Sequence, residues 1–500
     1  MQLQDLLDLL GGLPLAISQA ATYLQQIRTS LSKYITLYKQ QWKSLMKADD
    51  KPLHDYAGSI WTTWTISFEA INTRNEPAAK LLLLWANLDN KDLWYELLAN
   101  TRVVRWSKRQ KAEMDFPDWF KQLIRDEPTF NNAIRLLLNY SLVEKLEDLE
   151  TYATHPVVHQ WAFNFQSEEQ QRELSVLAIT VIGLAVPDPD RKDFSSLQRR
   201  LQSHAEVCWA LHFRRIEEDT QSRDKPAILI GIFGLGMLYL DQRNYDRSEK
   251  LLLRSLRGQE KVYSHGHEAV LLNLNSLGTL YKNKGKSKEA ESMYQRALEG
   301  FQKLGDKTEF NIASNLGALY TSLGRLTDAE HILEETLKRK YQAFGPDDPS
   351  TLFTLHDLGT LYKAQGDLAK AENMFKKALL GREKLLGREH RATLVTVFNL
   401  GIMYSAQDKL PKAEKMYKRA LEGFKEIGDD LEANKVVYDL GIVYHKQGRL
   451  EDAAANFQLA SNEYEKLLGK DQLYTIEASQ QLEQVREEQR RLADETTTES

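Results

Sequence analysis

The chain has 500 residues, too many for one hydrophobic core, so two to four domains are expected. Its 42% hydrophobic and 27% charged residues are those of an ordinary globular protein, and a formal charge of −5 gives no electrostatic reason to expect nucleic acid or an anionic membrane as partner. One cysteine, Cys208, excludes an internal disulfide framework and fits a reducing, cytoplasmic setting; in its apolar helical context (EVCWALHF) it reads as buried. The longest apolar run, VLAITVIGLAV at 176–186, is shorter than the roughly 20 residues a bilayer requires, and the N-terminus carries no secretory pattern.

In chain order, residues 1–46 read as helices. QLQDLLDLL stops at Gly11-Gly12, and a second helix opens at Pro14 and runs through LAISQAATYLQQI. TSLSKYITLYKQQWKSLM supplies another, with Ser32 placed to cap a start at Lys33. A polar link, 47–59, leads into IWTTWTISFEAI, whose Trp61, Trp64 and Phe68 share one face. EPAAKLLLLWANL (76–88) and DLWYELLAN (92–100) read as helices. The basic stretch RVVRWSKRQK (102–111) reads as a solvated loop, and PDWFKQLI and PTFNNAIRLLLNY as helices opened by proline. SLVEKL, EDLE and TYATH alternate as a short β-hairpin, and HPVVHQWAFNF starts a further helix. Helices, hairpin and helix in this order predict a winged-helix domain over 56–167. Linking helices follow over 168–225, broken by PDPDRKD.

From 228 to 468 a pattern recurs six times: LGMLY, LGTLY, LGALY, LGTLY, LGIMY and LGIVY, with glycines at 236, 278, 317, 359, 401 and 441. Their spacings of 42, 39, 42, 42 and 40 residues are those of a solenoid of helical hairpins. Seven residues after each glycine comes the turn: Arg243, Gly285, Gly324, Gly366, Asp408 and Gly448. Twelve after comes Ser248 or an alanine, and nineteen after comes Ser255, Thr336 or an alanine, small residues where two helices cross closely. Residues 471–492 read as a polar capping helix and 493–500 as a disordered tail. The fold class is all-α: a winged-helix domain with a short β-hairpin, followed by an α-solenoid of six hairpins.

Chemistry is sparse. GKS at 285–287 lacks the earlier glycine of a phosphate loop, that position being Leu280 inside a helix. His155 and His159 are four apart, but without the HExxH glutamate they read as a helix-start and a packing histidine. No metal site and no catalytic set emerges, so no enzyme activity is expected. The concave face of the solenoid remains. Residues one, four and five after the LG glycine point toward it, among them Thr279, Lys282 and Asn283, then Thr360 and Lys363, then His445 and Lys446, with Asn275 three before its glycine. Such a mildly basic, amide-bearing groove suits an extended acidic peptide or a protein ligand.

The repeat bodies AESMYQRALEG, AENMFKKALLG and AEKMYKRALEG, with the spacers FGPDDPSTL and LLGREHRATL, resemble the tetratricopeptide repeat in the long form of kinesin light chains. Gly12-Leu13-Pro14-Leu15-Ala16 looks like the GLPLA motif of NB-ARC ATPases. TWTISFEAI, AAKLLLLWANL, LLNYSLVE and YATHPVVHQWA are similar to the winged-helix part of fungal NB-ARC–tetratricopeptide proteins, which are NOD-like (STAND) signal transducers. That resemblance makes 1–46 a helical remnant of the NB-ARC module. It implies that Pro14 lies near the adenine of ADP or ATP in an intact family member, and that His155 approaches the phosphates. Here the second motif reads Thr154-His155-Pro156, without its acidic residue, and the phosphate loop is absent from the chain. The loop is then either encoded before Met1 or dispensed with, and no cofactor is expected on this chain itself. The implied function is the sensing arm of a signal-transducing receptor that can self-associate; a free-standing tetratricopeptide adaptor is the other reading.

Overall fold

The computed structural model describes residues 2–11, 13–46, 55–102, 116–146, 151–189, 191, 193–213, 225–470 and 473–498. It divides into two compact units, Met1–Val186 with Gln198–Asn273, and Pro187–Leu197 with Leu274–Ser500. The basic stretch of 103–111 and the acidic hairpin turn of 147–150 lie outside the described residues.

The first unit begins with α1 (Gln2–Leu9), α2 (Pro14–Ile27) and α3 (Leu31–Met46). Gly11 stops α1 with φ of 62°, a left-handed conformation open to glycine at no steric cost. The cap of α3 differs from expectation. The helix starts at Leu31, so Ser30 stands one place before it and its Oγ accepts the Lys33 N–H at 3.3 Å, while Ser32 is already helical. Helix α4 (Asp55–Arg74) reaches back into the stretch read as link. The buried core gathers Trp64 and Phe68 of α4 against Trp161, at ring separations of 5.9 and 6.0 Å. Gln19 of α2 donates to Ser67 Oγ at 3.0 Å and to the Tyr140 carbonyl at 2.7 Å, so its buried amide is satisfied from two other segments.

Helix α5 (Glu76–Trp85) is followed by a short α6 (Tyr95–Ala99), shorter than the helix expected over 92–100. Leu93 is extended because it exchanges two backbone hydrogen bonds with Tyr152, at 3.0 and 2.9 Å. It adds a bridge to the hairpin of β1 (Glu144–Leu146) and β2 (Thr151–Ala153), where Glu144 faces Ala153 and Leu146 faces Thr151. Between these lie α7 (Asp118–Leu123) and α8 (Glu127–Asn139), and after them come α9 (Pro156–Phe165), α10 (Glu168–Ala185) and α11 (Phe194–Val207). Ser167 and Gln170 close a reciprocal capping box on α10.

Six helical hairpins follow. They are α12 (Pro226–Asp241) with α13 (Tyr245–Val262), α14 (Glu268–Asn283) with α15 (Ser287–Leu304), and α16 (Glu309–Ser322) with α17 (Leu326–Phe344). Then come α18 (Pro349–Gln365) with α19 (Leu368–Leu386), α20 (Arg391–Ala406) with α21 (Leu410–Ile427), and α22 (Asp430–Lys446) with α23 (Leu450–Leu468). The six turn residues all have positive φ, from 57° at Asp408 to 82° at Gly366, which is why glycine holds four of those places.

The LG glycines have a different reason. A Cβ on any of them would collide with the side chain sixteen residues later: Leu252, Tyr294, Leu333, Phe375, Tyr417 or Phe457, at 2.5–2.8 Å. Each hairpin therefore closes by seating one large apolar side chain on a bare stretch of helix. Serine in the first hairpin is equally explained, since Ser248 and Ser255 are fully buried and donate to the Gly236 and Leu229 carbonyls, both at 2.8 Å.

Helix α12 is apolar all round and nearly all buried. Its outer face lies on α10 at backbone contact. A Cβ on Gly231 would come within 2.6 Å of Thr180 Cα, and one on Gly234 would overlap the Gly183 carbonyl. The last helix, α24 (Leu473–Thr498), continues through most of the stretch expected to be disordered. Neither glycine nor proline occurs after Gly469, so nothing halts propagation of the helix.

Candidate functional site

The first helices of the second to sixth hairpins carry the residues expected to line the groove. Two places before each LG glycine the chain reads Ser276, Asn315, Asp357, Asn399 and Asp439. Four places after it, Lys282 and Lys363 stand in alternate hairpins. Each lysine acts on the carboxylate two hairpins further on, Lys282 on Asp357 and Lys363 on Asp439.

Thr279 donates to the Asn275 carbonyl at 3.3 Å and shares a hydrogen bond with the Tyr294 hydroxyl at 3.0 Å. Asn275 Oδ1 accepts from Asn315 Nδ2 at 3.0 Å, which ties the second hairpin to the third. Thr360 donates to the His356 carbonyl at 3.2 Å. Lys363 reaches Asn399 Oδ1 at 3.5 Å. His445 is held by Glu488 of α24, its Nε2 2.7 Å from Oε2. Asn283 and Lys446 are exposed.

The expectation of a basic groove omitted two acids. Burial pushes the Asp357 carboxyl up to about 7, against the opposing pull of Lys282, Arg382 and Lys340. Burial likewise pushes Asp439 up to about 7, against Lys363, Lys435 and a hydrogen bond from the Tyr417 hydroxyl. Burial lowers Lys363, with Asp439 opposing. His356 lies well below the usual range, through burial and through the Arg382 and Lys363 charges, so it is a neutral hydrogen-bonding group at pH 7. Along the first helices lysine, amide and carboxylate thus alternate: Lys282, Asn315 and Asp357, then Lys363, Asn399 and Asp439.

Beneath the groove, two second-helix cations join successive hairpins. Lys340 is fully buried and its Nζ lies 2.9–3.2 Å from Asn311 Oδ1, Ser314 Oγ, the Ser350 carbonyl and Thr354 Oγ1. Arg382 occupies the equivalent place one hairpin on, donating to the Ala392 carbonyl and Thr396 Oγ1 at 2.9 and 2.6 Å. On the outer side, Tyr320 donates to Glu291 at 2.9 Å and Tyr404 to Glu372 at 3.1 Å, each reaching the preceding hairpin.

Asp357, Asp439, Lys340 and Arg382 were legible in part. The alternation two places before the LG glycine is visible once the repeats are aligned, whereas a buried lysine is announced by nothing in its local sequence.

In the first unit, Pro14 is exposed at the first position of α2. His155 is exposed and caps α9, its Nδ1 accepting from Val157 N–H at 3.3 Å. His159 turns inward, with Nε2 3.1 and 2.9 Å from the Trp85 and Leu88 carbonyls, and burial lowers its pKa. Cys208 is buried, and burial pushes its thiol far above the ordinary range, so it is not a reactive thiolate. Among the described residues no cluster of His, Cys, Asp and Glu is placed to hold a metal ion, and no helix is long and apolar enough to cross a membrane.

Two family models described as tetratricopeptide repeat match the chain, one over residues 228–303, 308–384 and 365–426, the other over 398–464. None of the curated proteins compared matches this sequence. Among solved structures, BtubC (BKLC) from P. vanneervenii is similar at 24% identity and a TM-score of 0.39, over 45% of this chain and 92% of that one. The STAND protein with a tetratricopeptide repeat sensor PH0952 from Pyrococcus horikoshii is similar at 15% identity and a TM-score of 0.41, over 97% of this chain and 74% of that one. A Rap protein complexed with Competence and Sporulation Factor is similar at 15% identity and a TM-score of 0.43, over 74% and 96% of the two chains. The matched stretch of 228–464 is an array of tetratricopeptide repeats, a class of repeat that mediates protein–protein interaction.

Proposed function

We propose that the chain is the sensing arm of a cytoplasmic NOD-like signal-transducing protein of the fungal NB-ARC–tetratricopeptide kind, and that it takes a peptide or protein ligand in the repeat groove. The observation that carries this is the alternating polar line on the first helices, Lys282 to Asp439. On this reading the hairpin-bearing helical region of the first unit is a winged helix, and Pro14 and His155 belong to a nucleotide-linked switch completed only by an NB-ARC core. The chain itself performs no catalysis.

The test starts from a peptide selected by display on the full chain. Lys282→Glu and Lys363→Glu weaken its binding by about tenfold or more, whereas Lys303→Glu, at an exposed place on a second helix, leaves it unchanged. Equal losses in all three would refute the groove. Calorimetry with ADP separates this reading from a free-standing adaptor: heat of binding supports the switch, and a flat titration supports the adaptor.

A further inference from the structure

Asp357 is 9% exposed, and its Oδ2 is fully buried without a hydrogen-bond donor; among the described residues it is the one carboxylate oxygen in that condition. Comparison within the array explains why. At the equivalent place in the sixth hairpin, the hydroxyl of Tyr417, the large residue sixteen after the LG glycine of the preceding hairpin, holds the Asp439 carboxyl down against burial. The residue that stands there for Asp357 is Leu333, which has no hydroxyl.

The cations nearby do not make up the loss. Lys340 spends its protons on Asn311, Ser314, Ser350 and Thr354, and Arg382 bonds Ala392 and Thr396. Lys282 acts on Asp357 through its charge alone. A buried acceptor left unmade is costly, and a donor brought by a ligand recovers that cost on binding.

Resting on the groove reading above, we infer that Asp357 is the specificity-determining acceptor of the groove, and that it takes a neutral hydrogen-bond donor from the bound peptide: a side-chain hydroxyl or carboxamide that does for Asp357 what Tyr417 does for Asp439. A cationic side chain is disfavoured, because three positive charges, Lys282, Lys340 and Arg382, already act on this one carboxylate. Specificity of this kind is strong, since a site built to hydrogen-bond one group leaves its own polar atom unpaired when that group is missing.

The experiment uses the full chain and fluorescein-labelled octapeptide pools, random except for one central position fixed as Tyr, Phe, Gln, Leu or Arg, with binding read by anisotropy. The Tyr pool is expected to bind at least about tenfold tighter than Phe, or Gln than Leu. That preference disappears in Asp357→Ala, which removes the acceptor, and in Leu333→Tyr, which supplies an internal donor. Leu333→Tyr does not lower the melting temperature, because tyrosine already sits opposite the LG glycine at Tyr294 and Tyr417. Equal binding of each pair, a preference that survives in both variants, tightest binding by the Arg pool, or a lower melting temperature for Leu333→Tyr would each overturn the assignment. Saturable binding without a donor preference overturns this inference alone, whereas no saturable binding by any pool removes the groove reading with it.

Discussion

Lys340→Met tests whether a buried ammonium costs this fold stability. The Lys340 side chain is fully buried, and burial pushes its pKa down from 10.5 to about 8, with Asp357 and Asp348 opposing. A folded pKa below the unfolded value means that the fold prefers the neutral amine. The penalty is present in full below pH 8 and is relieved as pH rises from about 8 to 10.5. The difference of 2.5 units between those values corresponds to about 3 kcal/mol.

Methionine removes the charge and keeps the length. The acceptors left behind are not stranded: Ser314 donates to Phe310 and shares a hydrogen bond with Thr354, Thr354 donates to Ser350, and Asn311 is exposed. The variant is therefore expected to gain up to about 3 kcal/mol at pH 7, and to lose that advantage by pH 10.5. Urea unfolding of both proteins at pH 7, 8.5 and 10.5 measures the difference, in which other titrating groups cancel. A difference that stays constant across the three pH values would refute the linkage, and a variant much less stable at pH 7 would show that the four hydrogen bonds outweigh the buried charge.

Among the described glycines, those where α10 meets α12 leave the least room for a methyl group. Gly234→Ala should cost about 3 kcal/mol or more, because the obstacle is the Gly183 carbonyl and a backbone cannot move as a side chain does. Gly266→Ala, with nothing within 4 Å, serves as the neutral control in a thermal melt. Asp408→Gly should gain up to about 1 kcal/mol, since Asp408 holds φ of 57° where four sister turns use glycine; an unchanged or lower denaturation midpoint would contradict the strain argument.

The repeat architecture was legible because its signals are periodic. Six copies of LG-x-Φ-Y, six turn residues and six small-residue crossings each repeat a demand made by the same geometry, so any one copy is confirmed by five others. The irregular places were less legible. Leu93 has the composition of a helix residue, but a pairing with Tyr152, 59 positions away, decides its conformation. Ser32 reads as the cap of the third helix, but the helix starts at Leu31 and Ser30 holds that place. At the groove, periodicity placed Thr279, Lys282, Thr360 and Lys363 on the first helices. It did not disclose that Asp357 lacks the tyrosine that serves Asp439, because that absence lies in a different hairpin, at Leu333.

Where the array begins also limits how it can change. The first hairpin turns one face of α12 onto α10 at a separation that admits only hydrogen atoms between the two backbones. An extra hairpin inserted ahead of residue 226 would have to displace α10, uncovering an apolar helix that has no polar side to offer water. Duplication of repeat units within this lineage is thus permitted behind the first hairpin and blocked in front of it, and the same asymmetry applies to anyone lengthening the array by design.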